Sequence, residues 1–452
     1  MSRYRRFFSS LVLITASACS SVSIEEVRSS YSRGQYAQAE QQIVELQKED
    51  SSNGHVWGLE RSVIELACQE PDVAVDQLRM ARDRLDDLAG TGFGEMFGSM
   101  LLDDRQMDYV GFPYEHVLVR AMLAVADLMA GGNDARAYAL QVRQRQAEIQ
   151  NEFRDPDGNP LPENAFKLVA FGSYLAGILF EEDYRFDQAR QAFERVVELE
   201  PGFEHGPSDL ERVVEGIPSQ KGNGVVHILA MVGRGPYRVE SNEPVTQAAV
   251  AVAQVIWAIY RERATFPAIA EVPIPALAYH HDNPTEAHVY VDGQKVGATQ
   301  TITNVEEMAR HEFETFKTYA IARAVVRRVL KVGITEGAKE AVNQNKDPWV
   351  DLGISAVGAI WTALEAADLR CWGLLPARFQ VLRLELPEGE YDIEIRAGSG
   401  GVPVGAPQTV RIYVRDGYNT YVAPLLPTTS GGPPPLTSER ALVPQSEPLG
   451  EN

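Results

Sequence analysis

Two stretches of this chain resemble each other, and no other feature constrains its fold as much. "GQYAQAEQQIVEL" (34–46) and "YRFDQARQAFERVVEL" (184–199) each set a tyrosine-containing turn before an alanine-bearing amphipathic run. Ala39, Ile43 and Leu46 in the first, and Ala189, Phe193 and Val196 in the second, are spaced by three or four. That spacing lays them on one helical face. A small residue admits a neighbouring helix, and larger ones fill the groove between. A helix pair cannot bury such a stripe alone, so pairs must stack, and the stack curves around a concave side.

Weaker units fill the interval. Ala74, Leu78 and Ala81 repeat the pattern, and 114–149 reads as two helices joined at Gly131-Gly132. The 174–201 unit resembles a tetratricopeptide repeat, with Gly177 at the close approach, Phe180 ending the first helix and Pro201 closing the unit. The resemblance implies a docking surface for a partner protein, carried here by Tyr174, Gly177, Phe180, Ala189, Phe193 and Pro201. "DPDGNPLPEN" (155–164) opens like a calcium loop, but Phe166 stands at the twelfth position, where the loop needs a bidentate Glu. It reads as a turn between repeats. Residues 19–215 are therefore assigned to a helical repeat domain.

Past residue 216 the period changes to that of strands. "GVVHILAMV" (224–232) is a continuous apolar run closed by Gly233, Gly235 and Pro236. "AHVYVDGQKVG" (287–297) reads as a hairpin turning at Asp292-Gly293. "FQVLRLELPEGEYDIEIRAG" (379–398) reads as two strands joined through Pro387-Glu388-Gly389. "QTVRIYVRDGYNTYVAP" (408–424) reads as a hairpin at Asp416-Gly417. Together, 216–424 predict an antiparallel β-sandwich-like domain. Two helical runs interrupt it, at 245–263 and at about 304–369. The second is expected to be a helical hairpin, its outgoing helix carrying a basic row of Arg323, Arg327 and Lys331. The tail, 425–452, is rich in Pro, Gly, Ser and Thr and is expected to be disordered. The fold class is thus multidomain α + β: tetratricopeptide-like helical repeats, then a sandwich with a helical hairpin insert.

The first residues predict the setting. "MSRYRRFF", an apolar run and "ASA" before Cys19 form a signal peptide over 1–18. A Cys at that point resembles a bacterial lipobox, with Ala16 where Leu is usual, and implies lipidation of Cys19. Ser20 in place of Asp implies the outer membrane, facing the periplasm. The apolar run 352–364 is too short to span a bilayer and reads as a core helix. Cys68 and Cys371 read as buried free thiols. A net charge of −21 argues against a nucleic-acid partner.

No catalytic motif is present in the sequence. "YHHDNP" (279–284) is the best metal candidate, but adjacent His280, His281 and Asp282 point apart in an extended chain, and the stretch reads as a polar loop. "ADLRCWGLLP" (367–376) gathers Asp368, Arg370, Cys371 and Trp372 where the insert returns to the sandwich. Cys371 has no neighbouring His to activate it. The stretch is expected to be a structural seam, with Asp368 pairing to Arg323 and Arg327 and with Trp372 as its plug.

Four pieces of the sequence carry a resemblance: Cys19, "YVGFPYEHVLVRAMLAVADLMAGGNDARA", "GRGPYRVE" and "ADLRCWGLLPARFQVLRLELPEGEYDI". The chain resembles an uncharacterised family of bacterial TPR-containing envelope lipoproteins. "LPEGEYDI" also resembles PEGA-type β modules. The resemblance assigns no activity. The expectation is a lipid-anchored envelope scaffold that binds partner proteins and needs neither metal nor cofactor. The alternatives are a peptidoglycan- or polysaccharide-binding protein and, less favoured, a metal-dependent enzyme.

Overall fold

Alternating helices form a stacked array before the first strand. The structure, a computed structural model, describes residues 22–89, 108–152, 166–260, 270–343 and 368–438. The array comprises α1 (Ile24–Ser32), α2 (Tyr36–Glu49), α3 (Gly54–Ala67), α4 (Pro71–Ala89), α5 (Pro113–Met129), α6 (Ala135–Glu152), α7 (Phe171–Glu182), α8 (Phe186–Leu199) and α9 (Gly206–Glu215). Each helix packs on the next. α1 starts on a capping box in which Ser23 and Glu26 satisfy each other's backbone amides. Ala39 and Ile43 of α2 and Ala189, Phe193 and Val196 of α8 have no exposed surface. Gly177 is required by its neighbour, because a Cβ there would stand 2.9 Å from the Phe193 ring.

Two sheets pack face to face beyond the array. The first runs β13 (Leu436–Thr437), β11 (Asn419–Ala423), β1 (Asn223–Val232), β7 (Arg378–Pro387) and β6 (Gln300–Asn304), with β12 (Leu425–Leu426) also beside β1. The second runs β10 (Gln408–Val414), β8 (Gly389–Ser399), β4 (Glu286–Val291) and β5 (Gln294–Ala298), with β9 (Val402–Pro403) beside β8. Asp292 and Gly293 both take positive φ and turn β4 into β5, as a two-residue turn demands.

Several expectations are corrected here. The sheets are not wholly antiparallel, since β1 runs parallel to β11 and to β12. The stretch 408–424 is not a hairpin, since β10 and β11 lie in different sheets; the two strands read in 379–398 are present as β7 and β8, also in different sheets. The turns at 387–389 and 416–417 carry the chain across the sandwich, because each following strand has its own apolar face to bury. The tail is structured as far as Ser438. Leu425, Leu426 and Leu436 are buried and join the first sheet through β12 and β13. Composition hid these short strands among turn residues. Residues 439–452 lie outside the described ones, as does the turn 155–164.

β1 explains its own sequence. Val226, Ile228, Ala230 and Val232 point into the sandwich, together with Val289, Ile393, Ile395 and Ile412. Leu229 and Met231 point the other way, into the helices. A strand covered on both faces reads as an unbroken apolar run. Its neighbours behave alike: Phe379, Val381, Tyr421 and Ala423 all face the array. Phe171 of α7 stacks on Phe379, with ring centroids 4.7 Å apart. One apolar core is therefore shared by the helices and the sheet.

The two helical interruptions meet in one arm. β2 (Tyr237–Pro244) and β3 (Glu271–Ala278) form an antiparallel ribbon, with α10 (Gln247–Tyr260) between them in sequence. α11 (Val305–Asn343) has 39 residues, a rod of roughly 58 Å at the usual helical rise. It packs on α10 and β3. Ala249, Ala253, Val272, Ile274, Ile321, Ala322 and Val325 make the arm's own small core. The outgoing helix of the hairpin expected at 304–369 is α11, which packs on the ribbon and α10. The apolar run 352–364 lies outside the described residues.

Candidate functional site

The segment "ADLRCWGLLP" is held by two carboxylates from the helical array. Glu60 of α3 and Glu115 of α5 are both fully buried. Glu60 accepts hydrogen bonds from the backbone amides of Gly373 (2.8 Å) and Leu374 (2.9 Å). It also pairs with Arg28 of α1, whose Nη2 donates to the Cys371 carbonyl at 2.9 Å. Glu115 accepts from the Trp372 amide (2.9 Å), the Phe112 amide (2.8 Å) and the Tyr109 hydroxyl. Gly373 is obligatory, since a Cβ there would stand 2.5 Å from the Arg28 guanidinium carbon. Trp372, Leu374 and Leu375 fill the shared core behind these bonds.

The seam therefore joins array to sandwich, and among the described residues Asp368 finds its partner within the seam itself. Asp368 accepts from Arg370, two residues on, at 2.8 and 2.9 Å. Arg370 reaches α3's entry through Asn53 (2.5 Å) and lies 5.8 Å from the Tyr109 ring centre. Arg323 and Arg327 belong to α11, but their side chains lie outside the described residues, as does that of Lys331. Cys371 is buried, and burial pushes its thiol upward, away from the thiolate a nucleophile needs. Cys68 is also a free thiol, pushed up to about 11 by burial and by Glu40.

Next to this seam opens a cleft of about 980 Å³. Its walls come from α1 (Ile24, Arg28), α3 and its entry (Asn53, Trp57), the start of β2 (Arg234 to Glu240), His280 and the seam (Asp368 to Leu374). Two of the sequence pieces singled out above line it, and a third packs against one of them. "GRGPYRVE" supplies Arg238, whose guanidinium carbon lies 3.3 Å from the centre of the Phe112 ring of "YVGFPYEH". "ADLRCWGLLP" supplies the floor. Val239 and Leu369 are 37% and 40% exposed at this cleft, so its rim is apolar and open.

The cations of the cleft are not equivalent. Arg28 is held by Glu60, Arg370 by Asp368, and Arg234 by Asp282 at 2.6 Å. The Arg238 side chain makes neither a hydrogen bond nor an ion pair with any described residue. Its acidic neighbours are otherwise engaged. Glu115 spends its oxygens on three donors. Glu312 of α11 accepts from the Tyr114 amide at 3.3 Å, and burial pushes its carboxyl well above the usual range. His280 packs on Tyr237 with ring centroids 4.8 Å apart, and burial, aided by Arg234, lowers its pKa to about 4. The "YHHDNP" loop is thus tied to the cleft wall through Asp282 and His280.

The other residues expected to act lie elsewhere. Tyr174, Phe180, Ala189 and Phe193 are buried inside the α7–α8 hairpin, as is Gly177, while Pro201 is exposed in the following turn. They cannot form a partner-binding surface, because a repeat's signature residues are spent on packing its own pair. An apolar side of the array is also covered, by β1, β7 and β11 of the same chain. Cys19 lies outside the described residues. Sequence reading missed Arg28, Glu60, Glu115 and Arg238. Glu60 left one signal: it stands four residues from both Val56 and Ile64, on the apolar face of α3.

No known family profile matches the chain, and no curated protein matches it. Among solved structures, the crystal structure of MamA protein aligns with 42% of this chain and 79% of its own, at 16% identity and a TM-score of 0.29. A score that low carries no argument. Among the described residues, no helix is long and apolar enough to cross a membrane.

Proposed function

We propose that the protein is a lipid-anchored scaffold of the cell envelope that docks a partner protein at the cleft between array, ribbon and seam. The observation that carries this reading is the cleft itself: residues from 24–32, 53–57, 234–240, 280 and 368–374 come together to line it, and its apolar rim is left open. An open apolar rim with polar groups behind it is the usual dress of a binding site. The resemblance to TPR-containing envelope lipoproteins and the lipobox-like Cys19 support the setting. Coverage of the array's apolar side by the sheet moves docking toward the cleft.

Site-specific photo-crosslinking in cells tests the proposal. The crosslinker is placed at Val239 or Leu369 in the cleft, and at Val214 on α9, which is 71% exposed. One defined protein adduct is expected from the two cleft positions and none from Val214. Absence of adducts at all three positions, or an adduct from Val214 alone, sinks the reading.

A further inference from the structure

Arg238 stands apart from the other cations of the cleft. It is part-buried, and a guanidinium carries five donors that water or a ligand meets where no protein acceptor does. Its guanidinium carbon lies 3.3 Å from the centre of the Phe112 ring, a cation–π contact that holds the group in place. Every other arginine of the cleft has its carboxylate. The edge of Arg238 therefore lacks an acceptor among the described residues, in a cleft whose remaining walls are largely apolar.

β2 adds a second, independent observation. Tyr237, Arg238, Val239 and Glu240 are consecutive, and all four line the cleft. Side chains alternate along a strand, so four in a row line one space when the strand turns its edge toward it. β2 is paired with β3 alone in a two-stranded ribbon, so this edge is open among the described strands. Open edges invite another strand.

From these two observations we infer that the cleft binds the free C-terminus of a partner polypeptide: the segment pairs with the edge of β2, and its terminal carboxylate meets Arg238. An extended peptide supplies backbone groups for the edge, apolar side chains for Trp57, Val239 and Leu369, and one anion for the guanidinium. Planar bidentate pairing suits arginine with a carboxylate. Strand addition with capture of the chain end is an established mode of peptide recognition. A cleft of about 980 Å³ accommodates a few residues, not a folded domain. The inference rests on the scaffold reading and narrows it to one ligand chemistry.

The test uses the full chain in detergent and a pool of synthetic hexapeptides with randomised apolar ends. Each peptide is offered as the free acid and as the C-terminal amide, and binding is read by fluorescence anisotropy. Free acids are expected to be selected, and amidation to weaken them at least tenfold. Arg238→Gln should weaken the acid by a similar factor and erase the difference between acid and amide, with melting unchanged. Should that variant fail to fold, hydrogen exchange on the wild-type chain decides. The selected acid should slow exchange at the Tyr237–Glu240 amides. Equal binding of acid and amide overturns the inference, as does unchanged exchange along β2. So does Arg238-dependent binding of oleate when no peptide binds, which would make the occupant a lipid. If crosslinked partners are found at Val239 while no free acid binds, the scaffold reading stands and this inference alone falls.

Discussion

The array meets its two neighbours through the same chemical group, a buried carboxylate, used in opposite ways. Against the sandwich, Glu60 receives a guanidinium and two backbone amides that converge from a loop far away in sequence. Against the arm, Glu312 receives one amide at 3.3 Å and lies near a second acid, Glu115. The first carboxylate has three donors converging on it. The second has too few, and its carboxyl is pushed toward the neutral form. A joint of the first kind fixes two bodies, whereas a joint of the second kind holds them with a proton in between.

Removing Glu60 should do the most damage. Glu60→Ala strands Arg28 and two amides in the core, and should cost about 3–5 kcal/mol, read as a fall in the denaturation midpoint. If the fall is no larger than that of an exposed substitution, the seam is not held by this carboxylate.

Glu312→Gln should act with the opposite sign. A carboxyl whose folded pKa is raised contributes its stability below the unfolded value, and loses it as pH rises through the folded pKa. Gln keeps the acceptor for Tyr114 and has no proton to lose. The variant should therefore be more stable than the parent at neutral pH, with the gap closing on acidification. Chemical denaturation at neutral and at acidic pH checks this, and a gap that widens on acidification refutes it.

Asp368→Ala should have the smallest effect. Its partner Arg370 keeps Asn53 and Tyr109, and the pair is partly open to water. A loss of about 1 kcal/mol is expected, measured by melting. An effect matching that of Glu60→Ala would erase the distinction between clamp and rim.

What the sequence disclosed follows from how local each signal is. Ala39, Ile43, Ala189 and Phe193 were legible because their period is written within a few turns of one helix. Asp292-Gly293 was legible because a two-residue turn needs both positive φ values at once. Asp416-Gly417 offers the same residue types, yet it serves a corner between sheets, and nothing within ten residues distinguishes a corner from a hairpin. The continuous apolarity of 224–232 revealed a strand but not what covers its second face. The seam was legible as a seam, while its partners were not. Glu60 and Gly373 stand 313 residues apart, and a charged residue on an apolar stripe does not announce which distant amides it will meet. Arg238 was hidden for a further reason. Its environment exists only after ribbon, α5 and seam have come together.

That shared strand has a consequence for how the chain is made. β1 is at once the centre of the sandwich and the floor beneath the helices, and the plug at Trp372 arrives later still in synthesis. The array emerges first with its inner surface bare, and no ordering of local events can close it before the last third of the polypeptide exists. Folding here is a long-range closure with a high contact order, hence slow. During that wait the nascent helices present to their surroundings the apolar side that the mature protein never shows.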